Sequence, residues 1–399
     1  MLKAGTLALT VLLALLQAAG PISTDTYLPS LPAIAIRLNA SVATAQLTLS
    51  VFLVGFAVAQ IVYGPFSDRF GRKPVLVTAL SLFAVATLAC ALATSIEMLI
   101  AARFLQALGA AGPVVLSRSI VRDLYEGRRA STEMSRMATI MGLMPAIAPT
   151  FGGLIDALFG WRAVFLAVFL LGAVILVAVI FKLPETVRER TETPLTVRTF
   201  FGGFGPVISD AGYRVHVAIV CFTYAGIFTF VSASSFVFQN IYGMSSVSFG
   251  LVFGICALAY VSGTLIGQRL LQRLGVAAAL GIGCAFLAVG GITMVLALAV
   301  GFDGPLGIII PSMIYMAGVG QAMPQAMAGA LMPFSKGAGA ASSLLGFTQM
   351  VFSASVGVAV GIAMGSTAWP MALFLCACGI AAALTYALSR RIRAAGPIW

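Results

Sequence analysis

Gly64-Pro65-Phe66-Ser67-Asp68-Arg69-Phe70-Gly71-Arg72-Lys73-Pro74 is the stretch from which the rest of the chain can be read. It holds one acid, three bases, two glycines and two prolines, and apolar runs of helix length flank it on both sides. A charged, turn-forming loop in that position cannot sit in hydrocarbon, so it belongs at a membrane surface. Three bases in so short a loop put it on the cytoplasmic side by the positive-inside rule.

The composition agrees. Of 399 residues 60% are hydrophobic and 9% charged, with a mean hydropathy of +1.06, whereas a soluble domain carries about 25% charged residues. A membrane-crossing helix takes about 20 apolar residues, so roughly ten to thirteen fit, with no soluble domain left over. Long solid apolar runs argue for helices over barrel strands, which alternate. The net charge of +11 does not point to nucleic acid, because the bases collect at the ends of alternate apolar runs. The six cysteines, Cys90, Cys221, Cys256, Cys284, Cys376 and Cys378, have no metal-ligand spacing and read as small packing residues without a disulfide framework. Lys3 and the apolar run to Gly20 imitate a secretory signal, but the run continues through Asp25 to Tyr27-Leu28-Pro29 and is read as an uncleaved first helix.

Twelve helices are expected: Leu7–Ala35, Ala45–Tyr63, Val75–Thr94, Glu97–Ile120, Thr132–Ile155 and Trp161–Leu183, then Val215–Phe238, Phe249–Leu271, Val276–Val300, Leu306–Leu331, Ala340–Met364 and Pro370–Leu388. Between the two sets, residues 184–214 hold Glu185, Arg188, Glu189, Arg190, Glu192, Arg198 and Asp210, the longest polar stretch and the natural cytoplasmic linker. With both termini inside, the inner segments collect Lys3, Arg69, Arg72, Lys73, Arg118, Arg122, Arg128, Arg129, Arg136, Lys182, Arg214, Arg269, Arg273, Lys336, Arg390, Arg391 and Arg393. Outside there remain Arg37 and Arg162. The chain also repeats. Arg69-Phe70-Gly71 recurs as Arg273-Leu274-Gly275, an offset of 204 residues, and Trp161 recurs as Trp369, an offset of 208. A common offset near half the chain implies two parallel six-helix halves, residues 1–183 and 215–399, with a substrate site between them at the bilayer midplane.

Charges inside a membrane are expensive, roughly 2.5–3.5 kcal/mol at a helix centre, and so require a reason. Asp25 lies in the outer part of helix one among Ser23, Thr24 and Tyr27, with Pro21, Pro29 and Pro32 breaking the helix around it. It is either a proton-binding group or a plain helix cap near the outer surface. Arg103 in helix four keeps its charge, so it faces water, carbonyls or a partner acid, or else snorkels outward. Gln106, three residues on, shares its face. In the opening loop Gly64 and Gly71 allow close backbone approach, and Asp68, Arg69 and Arg72 can pair with a neighbouring helix end, Asp123 being the partner for Arg72. Such pairs make either a latch that breaks as the halves rock apart or a simple topology anchor. Pro145, Pro149, Gly152 and Gly153 give helix five a kinked, smooth face for close packing. Further cavity candidates are Gln17, Phe228, Gln321, Gln325 and Gln349, with Phe222, Tyr224, Phe230, Phe236 and Phe238 lining helix seven. The single histidine, His216, is placed at the inner edge of helix seven. No acid lies within a second-half helix, and Gln272 stands where the repeat would place Asp68.

These residues match a known pattern. Gly64-x-x-x-Asp68-Arg69-x-Gly71-Arg72-Lys73 resembles the signature loop of the major facilitator superfamily, and Arg103-Phe104-Leu105-Gln106-Ala107-Leu108-Gly109 resembles its helix-four motif. Pro149-x-x-Gly152-Gly153 is similar to the helix-five antiporter motif, with Ala148 where glycine is usual. Ser23-Thr24-Asp25-Thr26-Tyr27-Leu28-Pro29-Ser30-Leu31-Pro32 and Val121-Arg122-Asp123-Leu124-Tyr125 resemble the Bcr/CflA branch of twelve-helix drug:proton antiporters. The resemblance covers the whole chain. It implies the major facilitator fold and export of bicyclomycin, phenicol-type or other small amphiphilic drugs in exchange for protons. Asp25 becomes the proton-binding acid, Arg103 its helix-four partner, and Asp68, Arg72 and Asp123 the cytoplasmic latch; Tyr27 and Gln106 are cavity candidates from their positions beside Asp25 and Arg103. Some relatives hold a second acid where Gln17 stands, which implies that cationic drugs are poorer substrates here.

The expectation is therefore a multi-pass protein of the bacterial inner membrane, a monomer, with small molecules, protons and lipid as its partners. No cofactor, metal, nucleic acid or catalytic residue is expected. The rival within transport is an exporter or importer of an amino acid, siderophore or sugar. A membrane enzyme would need a cluster of histidine, cysteine or acid at one depth, and an ATP-driven pump a phosphate-binding loop; neither is in the sequence.

Overall fold

The charged stretch forms less loop than its composition suggests. In the computed structural model, which describes residues 6–125, 127–187, 204–302, 304–334, 338–389 and 392, helix continues through Phe70 and resumes at Arg72. Only Gly71 interrupts it, with φ 102° and ψ 150°. Polar residues at a helix end keep their backbone bonds while their side chains sit among headgroups, so loss of apolarity at Tyr63 did not mean loss of helix.

The elements are α1 (Leu7–Asp25), a 3-10 turn (Leu28–Ser30), α2 (Leu31–Arg37), α3 (Val42–Phe70), α4 (Arg72–Ala91), α5 (Ile96–Leu124), α6 (Gly127–Phe159) and α7 (Trp161–Lys182). There follow α8 (Phe204–Ser209), α9 (Ala211–Phe236) with a π turn at Val237–Ile241, α10 (Ser246–Ala299), α11 (Pro305–Leu331), α12 (Ala338–Ala363) and α13 (Trp369–Leu388). Side chains start several of them. Ser41, Ser95, Asp210 and Ser245 each accept a bond from the backbone N–H three residues on, at 2.6–3.2 Å, satisfying donors that a first turn leaves open.

Among the described residues, ten helical stretches are long and apolar enough to cross a bilayer. α10 contains two spans, because Gly275 (φ 82°, ψ 172°) turns the chain back on itself, and α6, with its apolar part Met144–Phe159, completes twelve. Gly71 and Gly275, the pair found by internal repetition, adopt the same positive φ at equivalent turns. This backbone conformation is open to glycine at no steric cost. The first expected helix is divided, as its prolines implied. The division falls at Thr26–Ser30, however, and Pro21 is carried inside an unbroken α1.

Short connections make successive spans antiparallel, so the bundle has a proximal end, where α1 begins, and a distal end, where it reaches Asp25. The halves meet mainly where α3 packs along α12 and α6 along α10. On α3, Gln46, Ser50 and Gln60 face Gly361, Gly357 and Gly346 of α12, an antiparallel register of polar side chains on glycines. On the other seam, a Cβ at Gly153 would collide with the Ser246 backbone, and one at Gly250 with Pro149 and Thr150, so glycines on both helices permit the contact. Lys3, Arg188, Glu189, Arg190, Glu192, Arg198, Asp303, Lys336, Arg390, Arg391 and Arg393 lie outside the described residues.

Candidate functional site

Asp25 closes α1 and is buried; Thr24 Oγ1 donates to its carboxyl at 3.0 Å. The break follows at once, because Pro29 has no N–H to offer the Asp25 carbonyl. From the second half, the Tyr224 phenol of α9 comes within electrostatic reach of this carboxyl.

Arg103 of α5 is fully buried and therefore does not snorkel. Its guanidinium lies between the rings of Tyr27 and Phe52, 4.3 Å from each centroid. Nη1 donates to the Ser23 carbonyl at 2.9 Å and to Gln106 Oε1 at 2.5 Å, while Nε and Nη2 have no hydrogen-bond partner. Gln106 passes the network on, Nε2 donating to Thr87 Oγ1 at 2.9 Å. Tyr27 and Thr48 share a hydroxyl bond of 2.8 Å. The arginine therefore stands on a carbonyl two residues from Asp25 instead of on the carboxyl itself. Among the described residues neither Asp25 nor Arg103 enters an ion pair. Asp25, Tyr27, Arg103 and Gln106 thus gather at one place.

The other cavity candidates do not join them. Gln17 is buried about two turns below on α1. Phe228 lies at the seam between halves, against Gly357 and near Ser50. Gln321 packs on Gly267 toward the proximal end, with Gln325 beside it, and Gln349 is buried on α12 with its Oε1 unpartnered. His216 is buried, its Nδ1 2.7 Å from the Gly212 carbonyl, and it faces Gly329.

At the proximal end Arg72 is the hub. It pairs with Asp68 at 2.5 Å and with Asp123 at 2.9 Å, and Nη1 donates to Ser67 Oγ at 2.6 Å. Arg72 is on α4 and these partners lie on α3 and α5, so the pairs hold the first half together and do not bridge the halves, as a latch between bundles would require. Arg69 stays outside the cluster, exposed over the Phe70 ring. Gly64 is no site of close approach, since a Cβ there would meet nothing within 4 Å, whereas Gly71 packs against the Glu185 carboxylate.

Glu185 was read only as a linker charge. It accepts from the backbone N–H groups of Arg72 (2.9 Å) and Lys73 (3.2 Å), capping α4, while Thr186 Oγ1 donates to Asp123 at 3.0 Å. Two acids on α6 also went unremarked. Glu133 is buried, accepting from Thr10 at 2.7 Å and pairing with Arg136 at 2.8 Å. Asp156 lies beside the hydroxyls of Ser30 and Ser246, the latter in the second half. For Asp156 the sequence signal is an acid in an otherwise apolar run, whereas Glu133 stands among polar and charged neighbours that give it none. On the antiporter-motif helix, Pro145 and Pro149 lie inside α6, and Gly152 closes on the Thr26 carbonyl, next to Asp25.

Residues 13–362 match the model of the Major Facilitator Superfamily. The chain is 34% identical over 391 residues to the "Uncharacterized MFS-type transporter YdgK" of Bacillus subtilis, covering 95% of this chain and 94% of that one. It is 31% identical over 389 residues to the "Bicyclomycin resistance protein homolog" of Haemophilus influenzae, at 96% and 97% coverage. To "Multidrug resistance protein D" of Escherichia coli it is 30% identical over 350 residues, at 86% of each chain. The fold also superposes on a crystal structure of the nucleoside transporter NupG, with a TM-score of 0.77 at 14% identity, covering 96% and 99%. With twelve spans in two halves and relatives of this kind, the chain is a multi-pass membrane transporter, not an enzyme, and it belongs to the Major Facilitator Superfamily, in the Bcr/CflA branch.

Proposed function

We propose that the protein exports small, largely apolar amphiphilic compounds, drugs among them, across the bacterial inner membrane in exchange for protons. The observation that carries this reading is the placement of Asp25. It is a buried carboxyl at a helix break, beside a buried arginine and within electrostatic reach of a tyrosine from the opposite half. The names of the bicyclomycin-resistance and multidrug-resistance relatives support the drug class. Residues 1–183 and 215–399 act as the two rocking bodies and 184–214 as their linker. Both termini are cytoplasmic, because Arg69, Lys73, Arg122, Lys182, Arg269 and Arg273 gather at the proximal end and leave Arg37 and Arg162 at the distal end. The protein works as a monomer.

In this cycle substrate enters from the proximal side while Asp25 is ionised. Distal opening admits a proton that displaces the substrate, and the return step releases the proton inside. Arg103 holds the last turn of α1 and supplies the fixed charge near which Asp25 ionises. Gln106 and Tyr27, the two cavity candidates gathered beside Asp25 and Arg103, are neutral and aromatic, which suits uncharged cargo. One proton moved down 100 mV contributes about 2.3 kcal/mol, enough to sustain a substantial gradient of a neutral compound. The test is Asp25→Asn in vesicles. It abolishes proton-driven efflux of phenicols, bicyclomycin or dyes while the protein still reaches the membrane; unchanged transport refutes the assignment.

A further inference from the structure

The segment after Asp25 carries a second device. Pro32 has no N–H, so the Leu28 carbonyl takes the 3-10 bond of the Leu31 N–H in place of an α-helical one, and the Pro29 carbonyl lies in the same short turn. A carbonyl has two lone pairs and can accept a further bond. Here further donors come from the opposite half. Ser235 Oγ of α9 donates to the Leu28 carbonyl at 2.7 Å, and Gln239 Nε2 donates to the Pro29 carbonyl at 2.8 Å and to Ser235 Oγ at 2.9 Å. Gln239 lies in the π turn Val237–Ile241 that ends α9, four residues past Ser235 and on the same side.

Further hydrogen bonds between the halves lie at the same end. Gln46 Nε2 donates to the Ser232 carbonyl at 2.9 Å, Thr150 Oγ1 to the Gly250 carbonyl at 3.2 Å and Ser246 Oγ to the Gly153 carbonyl at 3.3 Å. The distal end is thus the fastened one in this conformation. Its fastenings are neutral side chains on carbonyls, and two of them hold the turn that begins three residues after the buried acid.

We propose that Ser235 and Gln239 form the distal latch of the transport cycle, holding the halves together by capping the carbonyls of the proline-broken turn after Asp25 and releasing them when the distal side opens. Water entering from that side satisfies the freed carbonyls, so the latch opens without stranding a charge. The helix break that follows Asp25 thereby also supplies the gate's acceptors, which ties the state of the acid to the gate. The inference rests on the antiport reading for its role in the cycle, but the latch itself can be measured without substrate or proton gradient.

The experiment is double electron–electron resonance on nanodisc-reconstituted protein, with spin labels at Asn39→Cys and Ser366→Cys, both exposed at the distal end. The background is Cys376→Ala, the other five native cysteines being buried. Losing one such bond shifts the ratio of long to short distances roughly fivefold toward the open form. This is expected for Gln239→Met, at a half-buried position that accepts the unbranched chain, and for Ser235→Ala. Ser234→Ala, which removes a buried hydroxyl that has no partner, leaves the ratio at its parent value. An unchanged ratio in both latch variants, or an equal shift in Ser234→Ala, overturns the proposal. Either result leaves Asp25-dependent antiport standing, and normal efflux by Asp25→Asn refutes antiport without touching the latch.

Discussion

Nη1 of Arg103 and the carbonyl of Ser23 are joined at 2.9 Å, so a side chain from α5 satisfies an acceptor in the last turn of α1. Carbonyls of a last helical turn have no helical donor, and a cation there also meets the negative end of the helix dipole. The arginine is held in turn by two aromatic faces, which favour a flat guanidinium over an ammonium. Its charge is thus fixed two residues from Asp25 without neutralising it.

Arg103→Lys is therefore expected to yield a folded protein that has lost function, since lysine keeps the charge but cannot span Ser23 and Gln106 from between two rings. Drug-induced proton uptake in vesicles should fall at least tenfold, on the order of the 1.5–3 kcal/mol that a hydrogen bond to a charged group contributes. Uptake equal to the parent's would mean that charge alone suffices and that the stacked geometry is incidental.

At the proximal end the contacts rank the residues by stability. Arg72→Ala removes the ion pairs of Asp68 and Asp123 and leaves Asp123 with the Thr186 hydroxyl, at about 1–3 kcal/mol. Glu185→Gln keeps one acceptor but removes the charge from the start of α4, at about 1 kcal/mol. Arg69→Ala, at an exposed position, should stay within about 0.5 kcal/mol of the parent. Unfolding midpoints of the purified variants in detergent should follow that order. A larger drop for Arg69→Ala than for Arg72→Ala would show that the cluster is wired differently.

How far these features could be seen in the sequence depends on their range. Gly71 and Gly275 were legible as a repeat because a positive φ restricts the choice of residue, so the two halves keep the same one. Arg103 and Gln106 were legible because polar groups three apart in an apolar run share a face. The ends of α3 and α6 were not, since helix outlasts the apolar run once it reaches the headgroups. The capping role of Glu185 depends on a contact 113 positions away along the chain, and the setting of Asp156 on Ser246 across the seam. The gathering of Tyr27, Phe52 and Arg103 depends on the break after α1 meeting two separate helices, α3 and α5. Gln321 and Gln349 are two of several buried amides that composition cannot rank, and in the fold they lie apart from Asp25.

Glycines with the same sequence credentials separate once their surroundings are known. At Gly152 a Cβ would strike the Thr26 carbonyl, in rigid backbone next to Asp25, and only a shift of α6 or of the α1 break could make room. Gly64 has open space and lies inside α3, where alanine is the better helix former by about 1 kcal/mol. Gly152→Ala should therefore lower the unfolding midpoint and impair efflux together, because it moves the turn that carries the acid. Gly64→Ala should leave the midpoint unchanged or slightly raised. If Gly64→Ala nevertheless slows transport at full stability, α3 meets a partner there in the other conformation of the cycle. If Gly152→Ala is stable and fully active, the contact between α6 and the α1 break has no part in coupling, and the path from Asp25 to the seam must run through Arg103 alone.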